Sequence, residues 1–313
     1  NHFIRKYNMA KKPKDKKSTS PNYTATKTGR NLFDVTYSLN GKVSDWEEWI
    51  LLSGDRHWDN PKSDWEMQIK HLKQVQERQA GVIDIGDALC LMQGKFDRRS
   101  SKSDIRDIHQ QGDYLDSVIE TSTDFFAPYA ENMIVVAAGN HEAAIKKHHE
   151  TDMTQRFCDI LKYKSGFKVH NGGHSGFVRF RLQEKGRTLG KILTLHYSHG
   201  YGGGGPVTKG IIQTNRKATY LPDADVVVSG HVHESWQIEL MRVRVGRRKI
   251  YHDTQTHICV PTYKEEFKDG FGGWHVERGA PPKPLGALWM RLTFDKPRDL
   301  TKEGIKYELI RAT

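Results

Sequence analysis

The sequence predicts an α/β fold. From about residue 45 short apolar runs alternate with helical patterns, several of the runs end in glycine, and no apolar run approaches the ~20 residues of a membrane span. "WILLSG" (49–54) reads as a strand. The helix expected next, in "SDWEMQIKHLKQVQERQ", takes Ser63 as its N-cap and sets Trp65, Ile69, Leu72 and Val75 at helical spacing. "GVIDIG" is the following strand, then a helix with Tyr114, Leu115, Val118 and Ile119 on one face, then the strand "MIVVAAG". After a helix around "TQRFCDILK" the strands become hairpin-like: "GFVRFRL", "KILTLHYS", "DVVVSG", "SWQIELMRVRV", "KIYHDTQTHICV" and "ALWMRLTF". "RVRVGRRK" marks a hairpin turn whose arginines face solvent or, in a second reading, a phosphate backbone.

The net charge of +11 is unevenly spread: residues 1–30 hold nine Lys/Arg against Asp15 alone. The segment has few apolar residues to pack, so residues 1–30 are expected to be a disordered basic tail, serving solubility or tethering a polyanion, ahead of a single domain over 31–313. Met9 is a candidate natural start, and no secretory signal is recognisable. Cys90, Cys158 and Cys259 are odd in number and far apart, which argues against a disulfide framework and a thiolate zinc site. A soluble protein of a reducing, cytoplasmic compartment is the expectation, with no membrane partner.

Chemistry gathers at the strand ends. "LLSGDRHWDN" offers Asp55 and His57, "VIDIGDALC" Asp87, "VVAAGNHEA" Asn140 and His141, "LHYSHGYGG" His199, and "VVSGHVHES" His231 and His233. Sixteen histidines make about one His-x-His pair expected by chance, so His231 and His233 mean little alone. Ligands bind at the carboxyl ends of strands in open α/β sheets, where these groups can converge. They offer imidazole, carboxylate and amide oxygen but no thiolate, a donor set suited to two divalent cations of Mn, Fe, Zn, Co or Ni if one carboxylate bridges. The glycine before each tip allows a sharp turn and close backbone approach.

With these motifs in order (D-x-H, G-D, G-N-H-E, a His before Gly, and G-H-x-H, over roughly residues 50–235) the sequence resembles the calcineurin-like metallophosphoesterase family, in a phage or bacterial type of branch. "HWDNP", "GPVTKGIIQTNR" and "FGGWHVERGAPPKP" add to the likeness. The resemblance implies a sandwich of two packed mixed β-sheets flanked by helices. It implies two divalent ions, manganese first among the candidates, with Asp55, His57 and His233 on the first, Asp87 bridging, and Asn140, His199 and His231 on the second. His141 is then the catalytic group beside the phosphate, and a metal-bridging hydroxide is the nucleophile. The chain departs from the family at "GDALC", where many members carry a second Asp or Asn, and it lacks the Arg-rich signature of protein Ser/Thr phosphatases.

Several neighbours compete for these roles. His196 is weighed against His199, which is preferred because it immediately precedes a glycine; Asp84, inside a strand, reads as a hydrogen-bonded buried acid. Asp59 and Asn60 read as supports of the ligands. "HNGGH" (170–174) reads as a turn, and "GYGGGGP" as a loop that lacks the Lys of a phosphate-binding loop. Arg56, Trp274 and His275 are the candidate substrate contacts. The function expected is a two-metal phosphodiesterase acting on nucleic acid, DNA or RNA, or on nucleotides, as the arginines near 98–106 and 242–248 suggest. A small-molecule phosphomonoesterase and a non-catalytic interaction module on the same fold are the alternatives.

Overall fold

The computed structural model describes residues 20–92, 104–203, 205, 207–246, 249–268, 270, 274–277, 279–295 and 303–312. Among these residues thirteen strands form two mixed sheets. The first has the order β1 (Tyr23–Gly29), β2 (Leu32–Ser38), β7 (Ser175–Glu184), β8 (Arg187–Ser198), β9 (Val226–Ser229), β11 (Ile250–Cys259) and β10 (Trp236–Val245). The second runs β13 (Gly304–Ala312), β12 (Ala287–Asp295), β3 (Glu47–Ser53), β4 (Gly81–Asp84), β5 (Met133–Val136) and β6 (His170–Asn171). One pairing, Gly304 with Lys191, joins them.

Between the sheets Ile50, Leu52, Ile83 and Val135 meet Val178, Phe180, Leu195 and Val226 in one buried cluster. The alternate residues Leu51, Val82 and Val136 point the other way, into a second cluster beneath helices α1 (Trp65–Glu77), α2 (Tyr114–Phe126) and α4 (Met153–Ser165). Strands buried on both faces read as unbroken apolar runs, which is why "WILL" and "MIVV" lack a polar alternation. Helix α3 (Asn140–His149) begins at the tip of β5, and α5 (Gln213–Tyr220) runs into the small outer cluster of Leu221, Ala224 and Val227. The chain is therefore a mixed α/β sandwich of two sheets flanked by helices. No helix among the described residues is long and apolar enough to cross a membrane.

Three expectations change. Tyr23–Gly29, assigned above to the disordered tail, is a strand paired antiparallel with β2, and Tyr23 Oη donates to the Asn132 carbonyl at 3.0 Å. Residues 1–19 lie outside the described residues. The cap of α1 is Asp64, which accepts from Met67 N at 2.9 Å, whereas the Ser63 hydroxyl turns inward and donates to the Arg56 carbonyl at 2.6 Å. Strands β2 and β13 and helices α3 and α5 add to the elements anticipated, and His170–Asn171, expected in a turn, forms β6 beside β5. In the β10–β11 hairpin Arg242 forks onto Asp253 at 2.7 and 3.0 Å and is committed to the fold, while Arg244 gives one N–H to the Pro222 carbonyl at 3.2 Å and stays part-exposed. Arg247 and Arg248 lie outside the described residues, as do Arg98 and Arg99.

Candidate metal centre

Parallel strands β3, β4 and β5 end on the same side of their sheet, and β8 and β9, also parallel, end together in the facing sheet. The loops leaving these five tips carry the predicted residues. Asp55 N donates to the Gly86 carbonyl and His57 N to the Asp87 carbonyl, both at 2.9 Å, which lashes the D-x-H turn to the G-D turn. Asp55, His57, Asp87, His231 and His233 all have φ between 43° and 71°. For residues with a Cβ this left-handed region costs roughly 1–2 kcal/mol each, a strain that concentrates at functional sites. Two glycines make the close approach possible: a Cβ on Gly139 would fall 2.0 Å from Asp87 Oδ1, and one on Gly230 2.5 Å from Asp55 Oδ2.

Two sets of ligating groups result. In Asp55, His57 and His233 one ligand atom per residue lies within 4.8 Å of the others, and the same holds for Asp87, His199 and His231. Asp55 Oδ1 is 3.2 Å from His233 Nε2 and 3.8 Å from both His57 Nε2 and His199 Nε2. The other oxygen, Oδ2, accepts from His231 N at 2.9 Å. Asn140 Oδ1 sits 2.8 Å from His231 Nδ1 and 3.1 Å from His199 Nε2, which brings the amide to the second set. His199 Nε2 is also 3.1 Å from Asp87 Oδ2, so Asp55 and Asp87 meet across this imidazole.

The electrostatics suit a cation. Burial opposes ionisation of Asp55, yet His233 and His199 outweigh it and hold the carboxyl below its ordinary range; Asp87 is held lower still by His199 and His141 against the same penalty. Burial works against the His199 imidazolium too, but Asp87 and Asp55 push its pKa up to about 10. Burial and the neighbouring His141 keep His57 neutral. Without a metal, a proton on His199 therefore supplies positive charge between two carboxylates. Asp55 Oδ1 is fully buried and faces His233, His57 and His199 Nε2 within 3.8 Å, so one cation shared with these imidazoles would satisfy it. The residues present fit a divalent metal.

His141 stands beside this cluster. Its backbone N–H donates to Asp87 Oδ1 at 2.9 Å, its Nδ1 bonds the Cys90 carbonyl, and its Nε2 lies 3.8 Å from Asp87 Oδ2. Glu142, the fourth residue of G-N-H-E, received no role from the sequence. Its carboxylate accepts from Gly139 N at 2.8 Å, Leu89 N at 3.0 Å and Asp87 N at 3.2 Å, and so ties two ligand-bearing loops together. Burial and Asp87 push its pKa up to about 8. Thr262 and Tyr263 were also missed: the Thr262 hydroxyl and Tyr263 N donate to the Asp55 carbonyl at 2.9 and 3.0 Å from a loop more than 200 residues later. No local motif marks them.

The remaining candidates fall elsewhere. Arg56, expected at the substrate, is fully buried and turned away; its Nε donates to Asp84 Oδ2 at 2.6 Å and its guanidinium lies over the Tyr263 ring at 4.9 Å. Asp84 also accepts from Ser53 Oγ at 3.0 Å and is a structural acid. His196 packs edge-on against Phe177, 4.9 Å between centroids, behind the site. Asp59 receives Cys90 N at 2.5 Å, Leu91 N at 2.9 Å and Tyr114 Oη at 3.1 Å, a supporting role. Trp274–Glu277 is a single helical turn, and the Trp274 and His275 side chains lie outside what is described. A separate cleft of about 710 Å³ between β8, β11 and β13 contains none of the clustered ligands.

No family model matches this chain, and no curated protein does. Solved structures resemble it over most of its length. A predicted phosphoesterase from Streptococcus pneumoniae TIGR4 is 10% identical, covering 85% of this chain and 90% of its own, with a TM-score of 0.33. Zinc-complexed Vps29 from Entamoeba histolytica is 12% identical over 84% of this chain and 98% of its own, at 0.34. GAP50 of Plasmodium, the anchor in the inner membrane complex, is 11% identical over 85% and 84%, at 0.40. At these scores the likeness carries no argument about activity.

Proposed function

We propose that the protein is a metal-dependent phosphoesterase that hydrolyses phosphodiesters of nucleic acid or nucleotides. The observation that supports this reading is the convergence of Asp55, His57 and His233 beside Asp87, His199 and His231, with the Asn140 amide joining the second set. Two divalent cations held there would supply Lewis-acid activation of water and neutralisation of charge on phosphoryl oxygens. The chain's own groups do the rest. Asp87 and His199 keep the two sets adjoining, Glu142 and Gly139 fix the loops that present Asp87 and Asn140, and His141, beside Asp87, is the group we assign to steady or protonate the leaving oxygen. Manganese is the cation we expect, because oxygen donors accompany the imidazoles.

A diester is favoured over a monoester by the scarcity of Lys and Arg free of a carboxylate partner beside the cluster among the described residues. Arg56 is committed to Asp84, and Lys264 pairs with Glu266 at 3.0 Å, so little remains to neutralise the second charge of a phosphomonoester. The test is turnover by the metal-reconstituted protein on bis-p-nitrophenyl phosphate, p-nitrophenyl phosphate, cyclic nucleotides, and single- and double-stranded DNA. Faster hydrolysis of the diester than the monoester, dependent on added metal, is expected. Failure on the whole panel with every candidate metal would overturn the reading in favour of a non-catalytic module.

A further inference from the structure

We propose that His57, Cys90 and His141 form a soft-metal site beside the proposed catalytic centre, taking one Zn²⁺ or Cd²⁺ ion through two imidazoles and a thiolate. One ligating atom from each of the three lies within 4.8 Å of the others. A tetrahedral ion with bonds of about 2.1 Å to nitrogen and 2.3 Å to sulfur holds two nitrogens and a sulfur roughly 3.4–3.6 Å apart, so closure by at most about 1.4 Å completes the set. The His57 ring is edge-on to the His141 ring at 4.8 Å between centroids. His57 Nδ1 is buried and makes no hydrogen bond, while His57 Nε2 faces His233 Nε2 at 3.3 Å.

Cys90 is held in position for this role. Its backbone N–H is bound by Asp59, its carbonyl by His141 Nδ1, and its Sγ receives Asn60 Nδ2–H at 3.3 Å. That amide donor remains available to a thiolate. Burial keeps the thiol protonated, so an incoming cation displaces the S–H proton to solvent as the metal–sulfur bond forms. Hard manganese prefers the oxygen-bearing sets and leaves sulfur alone; zinc and cadmium do not. His57 belongs to both groups. One consequence rests on the phosphoesterase reading: an ion on Cys90 competes for His57 and immobilises His141, so soft metals inhibit turnover.

The test titrates the full-length protein with Cd²⁺ and follows the ultraviolet charge-transfer absorption that only a metal-bound thiolate produces. Wild type is expected to develop a band that saturates at one thiolate per chain. Cys259→Ser should keep it and Cys90→Ser should lose it. Absence of the band in wild type overturns the site whatever the variants do, and persistence in folded Cys90→Ser overturns it equally. In the manganese-loaded protein, inhibition of diester turnover by Cd²⁺ should need at least tenfold more metal in Cys90→Ser; equal sensitivity overturns the inhibitory role. A normal Cd²⁺ band in a protein that turns over nothing would sink the phosphoesterase reading and leave the site standing.

Discussion

Arg56 and Asp84 form a salt bridge of 2.6 Å with both side chains 1% exposed, directly beneath the turn that carries Asp55 and His57. A lone arginine next to two metal ligands reads in the sequence as a substrate contact, but the structure gives it to the fold. Removing one member of a buried pair strands the other charge, at about 3–5 kcal/mol. Arg56→Met should therefore destabilise the protein by that order, and adding Asp84→Leu should recover part of the loss. Urea unfolding checks both; an Arg56→Met variant of wild-type stability with a raised KM would return the residue to the substrate.

This pair also shows where sequence reasoning reaches and stops. The ligand-bearing tips were legible because each joins an unbroken apolar run, a glycine and a metal-binding side chain, three signals of one local event. Arg56 was misplaced because direction is not local: whether a side chain at a tip faces the ligands or the core depends on Tyr263, Ser53 and Asp84, two of them outside its own loop. Strand β1 was hidden by composition. Its lysine and threonines look like tail, and only pairing with β2 and the Tyr23 contact to Asn132 make them a strand. Thr262 and Tyr263 reach Asp55 across more than 200 residues, a relation no spacing rule encodes.

Metal uptake should release protons. His199 is held above its ordinary range, at about 10, by Asp87 and Asp55, and must lose its proton before its Nε2 can ligate. The proton-bearing form therefore competes with the metal below that value, and apparent affinity should rise with pH from neutrality toward pH 10. Manganese binding followed in weak buffer checks this. Proton-neutral binding at pH 7 would show that His199 is not a ligand.

Asp87→Asn should abolish turnover and lower metal content while the fold persists, because the amide keeps the shape but not the charge that draws cations to both sets. His141→Ala should keep its metal and lose turnover, since its imidazole is bonded to the Cys90 carbonyl and stands outside the two oxygen-bearing sets. If it protonates the leaving oxygen, nitrophenyl esters should suffer less than nucleoside esters. Elemental analysis beside the rates separates the roles, and loss of metal from His141→Ala rejects the second.

Acid should destabilise the protein between pH 6.5 and 4 through His71, His196 and His257. Burial first, with Arg56 near His71 and Lys217 near the other two, pushes each imidazole down to about 4. A depressed folded-state value means the neutral form is the one folded; the stabilisation is whole above the unfolded value of about 6.5 and is lost as pH falls through 4, because the unfolded chain takes up the protons first. Glu48 works the other way: burial lifts it to about 7, so its contribution is whole below 4.5 and fades as pH rises through 7. Glu142, which burial lifts to about 8, acts in the same sense as Glu48, and three groups against two leave the net slope positive over this window. Urea midpoints at pH 7 and 5 check it, and His196→Phe should flatten the slope; an unchanged slope would mean that His196 charges freely in the folded state.

Removing residues 1–19 tests tethering without touching β1, whose pairing with β2 places Tyr23–Gly29 in the sheet. The deletion takes seven of the nine basic residues counted in 1–30, together with Asp15, and leaves every clustered ligand, since all lie beyond residue 50. Turnover of small chromogenic diesters should therefore be unchanged. If the segment holds a nucleic acid, each phosphate it neutralises releases counterions, and losing a net six charges should flatten the log-affinity against log-salt slope on duplex DNA by up to about 5. Arg242 is already forked onto Asp253 and offers no substitute grip; Arg244, part-exposed, is removed as Arg244→Ala in the same background. An unchanged slope and affinity would leave the segment without a role in substrate capture and shift the preferred substrate from a polymer to a nucleotide-sized diester.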